Sequence, residues 1–467
     1  MIKFGTDGWR GIISEDFTFS NVRLVASAIS DYVLERGEAV KGIVVGYDTR
    51  FLSRQYAEEC SAVISERGLK VWLADSILPT PALTWQVKDR QSACGIMVTA
   101  SHNPYQFNGL KIKTPYGGSA SQEIISNIEK YVRRHEASGC EYPKASLFAA
   151  VDSFSPRESY LDHVAAMLDA DLLSSFKGKI IFDVMHGAAS GYAASLGARF
   201  GLDLAELRNG FNLSFGGVNP EPIEQNLASL RKKVRYRRAV LGLATDGDGD
   251  RIGAVDANGR FITPHQIIAL LTKYLVEKRG WTGGVAKTLT VSELVRRIAA
   301  KYRVKIYETP VGFKHIAHLM LNEDILIGGE ESGGIGIKNY IPERDGLLLG
   351  FMLIEVMGAY GKPLGILVDE MMGELGQLYY KRKDLHLKEE QKARLITSLV
   401  DKPPEIFEGM EVLAANCDDG CKLYLDGGWV MIRASGTEPI VRIYAEAKNQ
   451  MLLDIILSKA MNYAAKA

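Results

Sequence analysis

An α/β protein of several similar units, closed by an α+β tail, is what the sequence predicts. Three observations carry that reading. The 467 residues exceed one ordinary core, so two to four domains are expected. Short buried apolar runs alternate with segments of helical period, which is βαβ rhythm and hence a mostly parallel sheet. Each of the main apolar runs empties into a polar, Gly-rich loop, and in open α/β sheets ligands bind there.

The elements follow in order. Val22, Val25, Ala26, Ile29 and Val33 recur at helical spacing, with Ser20 or Asn21 as the expected cap and Gly37 as the end. Ile43-Val44-Val45 reads as a buried strand, Gln55 to Arg67 as a helix closed by Gly68, and Val71-Trp72-Leu73 as the next strand. Ile96-Met97-Val98 is a third strand, ending at Thr99-Ala100-Ser101-His102-Asn103-Pro104. Ile180-Ile181-Phe182 then leads into His186 to Gly191, and Val240 to Leu243 into an Asp-rich loop. Asn258-Gly259 marks a hairpin, and a long helix runs from Pro264 towards Arg279. Ile325-Leu326-Ile327 runs into Gly328 to Gly334. In the tail, Lys381 to Lys392 reads as charged helix or linker, broken by Pro403-Pro404. Antiparallel strands around Tyr424, Val430 to Ile432 and Val441 to Ala445 follow, with Arg433 to Pro439 between them.

Charge narrows the partners. The 56 basic and 56 acidic residues cancel, which argues against general binding of nucleic acid or anionic membrane. The basic run Arg231 to Arg238 is most simply a solvated helix face. Met1 to Gly5 shows no basic-then-apolar leader, and no run of about 18 apolar residues appears, so a cytoplasmic protein is expected. The cysteines at 60, 94, 140, 417 and 421 are then expected as reduced thiols; Cys417 and Cys421 lack the second Cys/His pair a zinc site needs.

Four loops carry chemistry. Asp246, Asp248 and Asp250 alternate with glycines, so three carboxylates can converge on one hard cation, Mg²⁺ by preference. A calcium loop of the EF-hand type wants Gly and Glu where Arg251 and Ala257 stand. Ser101 follows a buried strand, beside His102 and ten residues before Lys111, and a phosphate-carrying serine needs such a cation nearby. Arg433, Ser435, Gly436 and Thr437 combine a planar charged fork, hydroxyls and a tight turn, which suits a phosphate dianion, and Arg442 can add a second charge. Glu330 and Ser332, on a Gly-flanked loop, can hold a polyol edge.

Taken together, these motifs resemble the α-D-phosphohexomutase family over nearly the whole chain and in the family's order. Phe4 to Gly11 resembles its N-terminal signature, Thr99 to Pro104 its phosphoserine loop, followed by Asn108-Gly109-Leu110-Lys111. Asp246 to Arg251 resembles its metal loop, Gly329 to Gly333 its sugar loop, and Arg433 to Pro439 its phosphate loop. The resemblance implies three topologically similar α/β domains over 1–150, 151–256 and 257–372, and an α+β lid over 373–467, around a central cleft. It implies a phosphoserine at Ser101, with Asp246, Asp248, Asp250 and a phosphoserine oxygen on one Mg²⁺. Arg10 and Lys111 would flank the phosphoryl group, with Lys111 as general acid/base and His102 in the catalytic set. Arg251 would fix the loop or the substrate, Glu330, Ser332 and Lys314 would serve the sugar, and Arg433 to Thr437 with Arg442 would clamp the idle phosphate.

The implied reaction interconverts hexose 1-phosphate and hexose 6-phosphate through glucose 1,6-bisphosphate or its analogue. Glucose ranks first, because many mannose- and glucosamine-type members carry a His where Gly334 stands, and because Thr309 to Lys314 and Glu343 to Gly346 resemble phosphoglucomutases. Mannose or dual specificity comes second and glucosamine third. A metal-dependent phosphatase and a non-catalytic sugar-phosphate binder are the readings of other classes.

Overall fold

The structure is a computed structural model in which residues 2–5, 8–139, 150–435 and 440–466 are described. The first domain holds strands β1 (Trp9–Ile12), β2 (Ile43–Tyr47), β3 (Val71–Ala74), β4 (Cys94–Val98), β5 (Phe107–Lys113) and β6 (Asp152–Phe154). They lie in the order β1-β5-β4-β2-β3-β6. β2 and β4 are buried at every residue, which is why they read as unbroken apolar runs. The helix Phe19–Glu35 covers them with Val22, Val25, Ala26, Ile29 and Val33. Its cap is Thr18, whose side chain accepts from Asn21 N, rather than Ser20 or Asn21 as the spacing suggested.

The second domain holds β7 (Ile180–Asp183), β8 (Leu204–Leu207), β9 (Leu241–Thr245), β10 (Ile252–Asp256) and β11 (Phe261–Ile262), in the order β11-β10-β9-β7-β8. The expected boundaries at 150 and 256 are thereby corrected: β6 pairs with β3 and β11 with β10, beyond each of them. The third holds β12 (Gly284–Thr288), β13 (Ile306–Thr309), β14 (Ile325–Gly329) and β15 (Ile335–Ile337), in the order β13-β12-β14-β15. One arrangement therefore recurs: three parallel strands with the first in the middle, then a fourth returning antiparallel. It is β3-β2-β4-β5, then β8-β7-β9-β10, then β13-β12-β14-β15. The return from third strand to fourth carries Ser101 in the first domain, the aspartates in the second and Glu330 in the third.

The helix Gly346–Tyr360 binds the second domain to the third. It is apolar on every face except at Glu355, which pairs with Arg279 at 2.8 Å, and it is buried from Gly346 to Met357, with Gly350 against Phe182 and Leu243 of the second sheet. Among the described residues no single helix is long and apolar enough to cross a membrane. This helix and Leu364–Leu375 reach that composition only together, across a 77° bend.

The fourth domain is antiparallel: β16 (Tyr379–His386), β17 (Ile406–Phe407), β18 (Met410–Asn416), β19 (Cys421–Leu425), β20 (Gly428–Ala434) and β21 (Ile440–Ala447), ordered β16-β21-β20-β19-β18-β17. Helices Glu389–Asp401 and Gln450–Lys466 bury one face. The charged stretch from Lys381 is thus an edge strand before it becomes a helix; exposed charge along an edge strand discourages further pairing and hid its period. The other face packs Trp429, Met431 and Tyr444 on Leu289 of the third domain. Lys422, fully buried there, donates to Leu289 O at 2.9 Å and pairs with Glu293 at 3.2 Å.

Cys60 and Cys94 are buried free thiols, whereas Cys417 and Cys421 are joined as a disulfide across the β18–β19 turn. The expectation of reduced thiols is corrected for that pair, because the turn brings residues four apart to facing positions, and Cys140 lies outside the described residues.

Candidate active site

Ser101 lies in the return between β4 and β5, with φ at +52° and only 1% exposure. A non-glycine residue held in the left-handed region needs surroundings that over-determine it. Thr99 Oγ1 accepts from Ser101 N at 2.9 Å and itself donates to Asp48 Oδ2 at 2.6 Å. The Ser101 hydroxyl then points at the second domain, donating to Asp246 Oδ2 at 2.9 Å. Gly247 makes that approach possible, since a Cβ there would stand 2.4 Å from Ser101 O.

The aspartate loop folds on itself. Asp246 Oδ1 accepts from the backbone N of Asp250 at 2.9 Å and of Arg251 at 3.1 Å. Asp248 Oδ2 accepts from Thr80 Oγ1 at 2.5 Å and Lys111 Nζ at 2.8 Å. Asp250 Oδ2 accepts from Lys111 Nζ at 3.0 Å and Arg344 Nη2 at 2.6 Å. All three carboxylates are fully buried, and one oxygen from each can be taken within 4.8 Å of the others. Asp248 Oδ1 and Asp250 Oδ1 are buried without any hydrogen-bond partner. Buried acceptors left open in this way, together with Asp246 Oδ2, fit a hard divalent cation with oxygen ligands.

Electrostatics agree. Burial, with Asp250 and Asp248 alongside, pushes the Asp246 carboxyl well above the usual range. Burial acts on Asp248 in the same sense, but the Lys111 ammonium and its hydrogen bonds outweigh it and hold Asp248 low. Burial, then the cations Arg251, Arg10, Lys111 and Arg50, holds His102 well below the ordinary histidine range. Its neutral ring therefore faces the serine, with Nδ1 3.3 Å from Ser101 Oγ.

The remaining residues singled out in the sequence distribute around this cluster. Arg10 donates to Asn103 Oδ1 at 2.6 Å, beside Ser101 in the same loop. Arg251 pairs with Glu221 at 3.2 Å, and its bridge to Gly334 joins the metal loop to the sugar loop. Glu330, 6% exposed, accepts from Arg344 Nη1 at 3.2 Å, and Ser332 is half-buried on the same loop. Lys314 has a partner elsewhere, Gln122 of the first domain at 2.8 Å. In the fourth domain Arg433 and Arg442 are direct cross-strand partners of β20 and β21, while Ser435 is buried just beyond. Two like charges so placed repel unless an anion joins them. Arg433 is also steadied by Asp419 at 3.1 Å, whose Oδ2 accepts from Val311 N of the third domain at 2.9 Å. Gly436 and Thr437 lie outside the described residues.

Sequence reasoning missed Asp48, Arg50, Thr80 and Asp419, and gave Arg344 no role at the metal. Asp48-Thr49-Arg50 closes β2 as an ordinary polar turn would, and the signal was only its place after a buried strand.

Comparison with known proteins converges on one family. Four family descriptions match in order: phosphoglucomutase/phosphomannomutase alpha/beta/alpha domain I over residues 1–138, domain II over 158–259, domain III over 263–375, and the C-terminal domain over 395–459. A phosphoglucomutase/phosphomannomutase from Thermococcus kodakarensis is 30% identical, covering 96% of this chain and 95% of its own. The chain belongs to the α-D-phosphohexomutase family. As a phosphohexomutase it is an intramolecular phosphotransferase of the isomerase class. A phosphoglucosamine mutase from Anoxybacillus flavithermus is likewise 30% identical, over 97% of this chain and 96% of the relative. A solved structure from Thermus thermophilus, provisionally named a phosphomannomutase, superimposes with a TM-score of 0.86 at 34% identity, covering 99% of this chain and 98% of the other. The four-domain architecture is the family's. Relatives of this phosphohexomutase thus carry names for three different sugars.

Proposed function

We propose that this phosphohexomutase interconverts glucose 1-phosphate and glucose 6-phosphate, with Ser101 as phosphoryl carrier and glucose 1,6-bisphosphate as intermediate. The observation that carries this reading is the contact of Ser101 Oγ with Asp246 Oδ2 at 2.9 Å, beside two carboxylate oxygens without partners. An Mg²⁺ held by Asp246, Asp248 and Asp250 with a phosphoserine oxygen would neutralise charge on the transferring group and polarise its bond to serine.

In the first transfer the P–Oγ bond of phosphoserine breaks and a P–O bond to the free sugar hydroxyl forms; in the second the other P–O bond of the bisphosphate breaks and the P–Oγ bond forms again. In the first the hydroxyl proton ends on Ser101 Oγ. His102 Nδ1, neutral and 3.3 Å from that oxygen, and Lys111 Nζ, seated on two aspartates, are the groups that can carry it. Arg10 and Arg251 would flank the phosphoryl group. The paired Arg433 and Arg442, with Ser435, would hold the phosphate that is not reacting. After one transfer the bisphosphate turns end for end, and the reverse step restores phosphoserine. Two phosphate sites serve a mutase, whereas simple hydrolysis needs one.

Glu330 and Ser332 would read the sugar hydroxyls, and Lys314 would join them only on leaving Gln122. Glucose is favoured by Gly334, which offers the sugar no side chain beside Glu330 and Arg344 where many mannose- and glucosamine-type members carry a His. Dual glucose and mannose activity is the second reading, supported by the double name of the Thermococcus kodakarensis relative. A panel of the 1-phosphates of glucose, mannose and glucosamine, compared by kcat/KM with Mg²⁺, tests the order. Highest kcat/KM for glucosamine 1-phosphate would reverse it. Inorganic phosphate released at the rate of substrate loss would instead indicate a phosphatase.

A further inference from the structure

One buried guanidinium outside the reacting cluster holds the whole serine loop. Arg50 is 3% exposed and follows β2. Its Nη2 donates to Ser101 O at 2.6 Å and Asn103 O at 2.7 Å; its Nη1 donates to Pro104 O at 2.9 Å and Phe107 O at 3.0 Å. Pro104 O also accepts from Phe107 N at 3.0 Å, and Phe107 already opens β5, but among the described residues Ser101 O and Asn103 O take no backbone N–H in the return, so Arg50 is what pairs them in a buried site. Its Nε lies 3.2 Å from Asp48 Oδ2. Asp48 also receives Thr99 Oγ1, and Thr99 receives Ser101 N, so the chain of contacts returns to the same serine. Ser53 Oγ and Arg50 N occupy Asp48 Oδ1 at 2.6 Å and 2.9 Å. Phe215 of the second domain covers the guanidinium, ring centre 4.9 Å from its carbon.

We propose that Arg50, braced by Asp48, is a positioning residue for the mutase reaction: it sets the left-handed backbone of Ser101, and so the line from Oγ to Asp246. This rests on the reading of Ser101 as phosphoryl carrier. Only a planar fork with several donors can serve four carbonyls at once; a lysine supplies charge from a single point. A phosphoryl carrier displaced by a fraction of an ångström loses alignment while substrate binding elsewhere is kept. The signature is therefore a fall in kcat without a matching change in KM, and a larger share of phosphoryl groups lost to water.

The test compares wild type, Arg50→Lys, Thr99→Val and Ser101→Ala with glucose 1-phosphate and Mg²⁺, well below each Tm. Arg50→Lys is expected to keep KM within about threefold, to lose about 100-fold in kcat, and to release more inorganic phosphate per turnover from ³²P-labelled enzyme. Thr99→Val, which removes the second route to Ser101 N without deleting a buried charge, should show the same pattern at about tenfold and covers the case where Arg50→Lys does not fold. Wild-type kcat in folded Arg50→Lys, or in Thr99→Val if the other does not fold, overturns the brace. A rise in KM with kcat unchanged overturns it too. Full activity in Ser101→Ala would overturn the carrier reading itself, and that result is distinct from an inactive Ser101→Ala beside a fully active Arg50→Lys.

Discussion

Arg344 Nη2 donates to Asp250 Oδ2 at 2.6 Å, joining residues 94 apart in the chain and two domains in the fold. The same guanidinium reaches Glu330 through Nη1, so the metal loop and the sugar loop share one cation. Replacing it by methionine takes a cation from two buried carboxylates, Glu330 and Asp250, of which Asp250 keeps Lys111, and breaking a buried pair in this way typically costs about 3–5 kcal/mol. Arg344→Met is expected to lower kcat/KM for glucose 1-phosphate by at least about 100-fold and to narrow discrimination between glucose and mannose 1-phosphates. Steady-state kinetics on both sugars check it; unchanged discrimination would mean that Arg344 holds only the metal loop.

The open oxygens Asp248 Oδ1 and Asp250 Oδ1 make the native state the form that binds a divalent cation. A ligand specific for the native state at about 100 times its Kd adds about 2.7 kcal/mol. Mg²⁺ should therefore raise Tm measurably, EDTA should abolish turnover, and Asp248→Asn should lose both effects of the ion. A Tm indifferent to Mg²⁺ in wild type would count against the site.

His265 reports on the seat of the fourth domain. It is 4% exposed, its ring centre is 4.3 Å from that of Tyr380, and its Nδ1 accepts from Ser292 N at 3.3 Å. Burial, then Lys287 and Lys422, pushes its pKa down to about 3 from 6.5. The unfolded chain therefore binds the proton first as pH falls. Stability is complete above pH 6.5 and is lost between there and about 3, by up to about 5 kcal/mol. His265→Gln should make the fall of Tm between about pH 7 and pH 4 shallower than in wild type. An identical decline in the two proteins would assign the acid sensitivity elsewhere.

Lys422 anchors that same seat from the other side. Lys422→Met strips Leu289 O and Glu293 of a buried donor, at about 1–3 kcal/mol. Because Arg433 and Arg442 ride on the same sheet, KM for sugar phosphate should rise about fivefold or more while kcat falls less. Kinetics and thermal melts together separate this from a general loss of fold, which would lower the active fraction without moving KM.

The loops with chemistry were legible because each follows a buried strand, and the aspartate and sugar loops also carry glycines that allow close backbone approach. Ser101, Asp246, Asp248 and Asp250 could be named from that pattern; the structure brings Ser101 into a hydrogen bond with Asp246 and one oxygen of each aspartate within 4.8 Å of the others. Arg50 could not, because its partners are carbonyls, which every residue has. Arg344 escaped for a different reason: its meeting with Asp250 is set by the buried helix that starts at Gly346, where a Cβ would stand 2.2 Å from Arg251 O. The edge strand Tyr379–His386 was masked by its charges, and the Cys417–Cys421 bond by a composition that suggested reduced thiols.

The strand order written three times has a consequence for how such a chain can change. The three returns are positional equivalents, so under the roles proposed here carrier, cation seat and sugar reader are copies of one structural address that have specialised apart. A new sugar preference then requires edits in the third copy alone. The other two can stay fixed through the transition, with Arg344 as the chief point where an edit in one copy is felt by its neighbour.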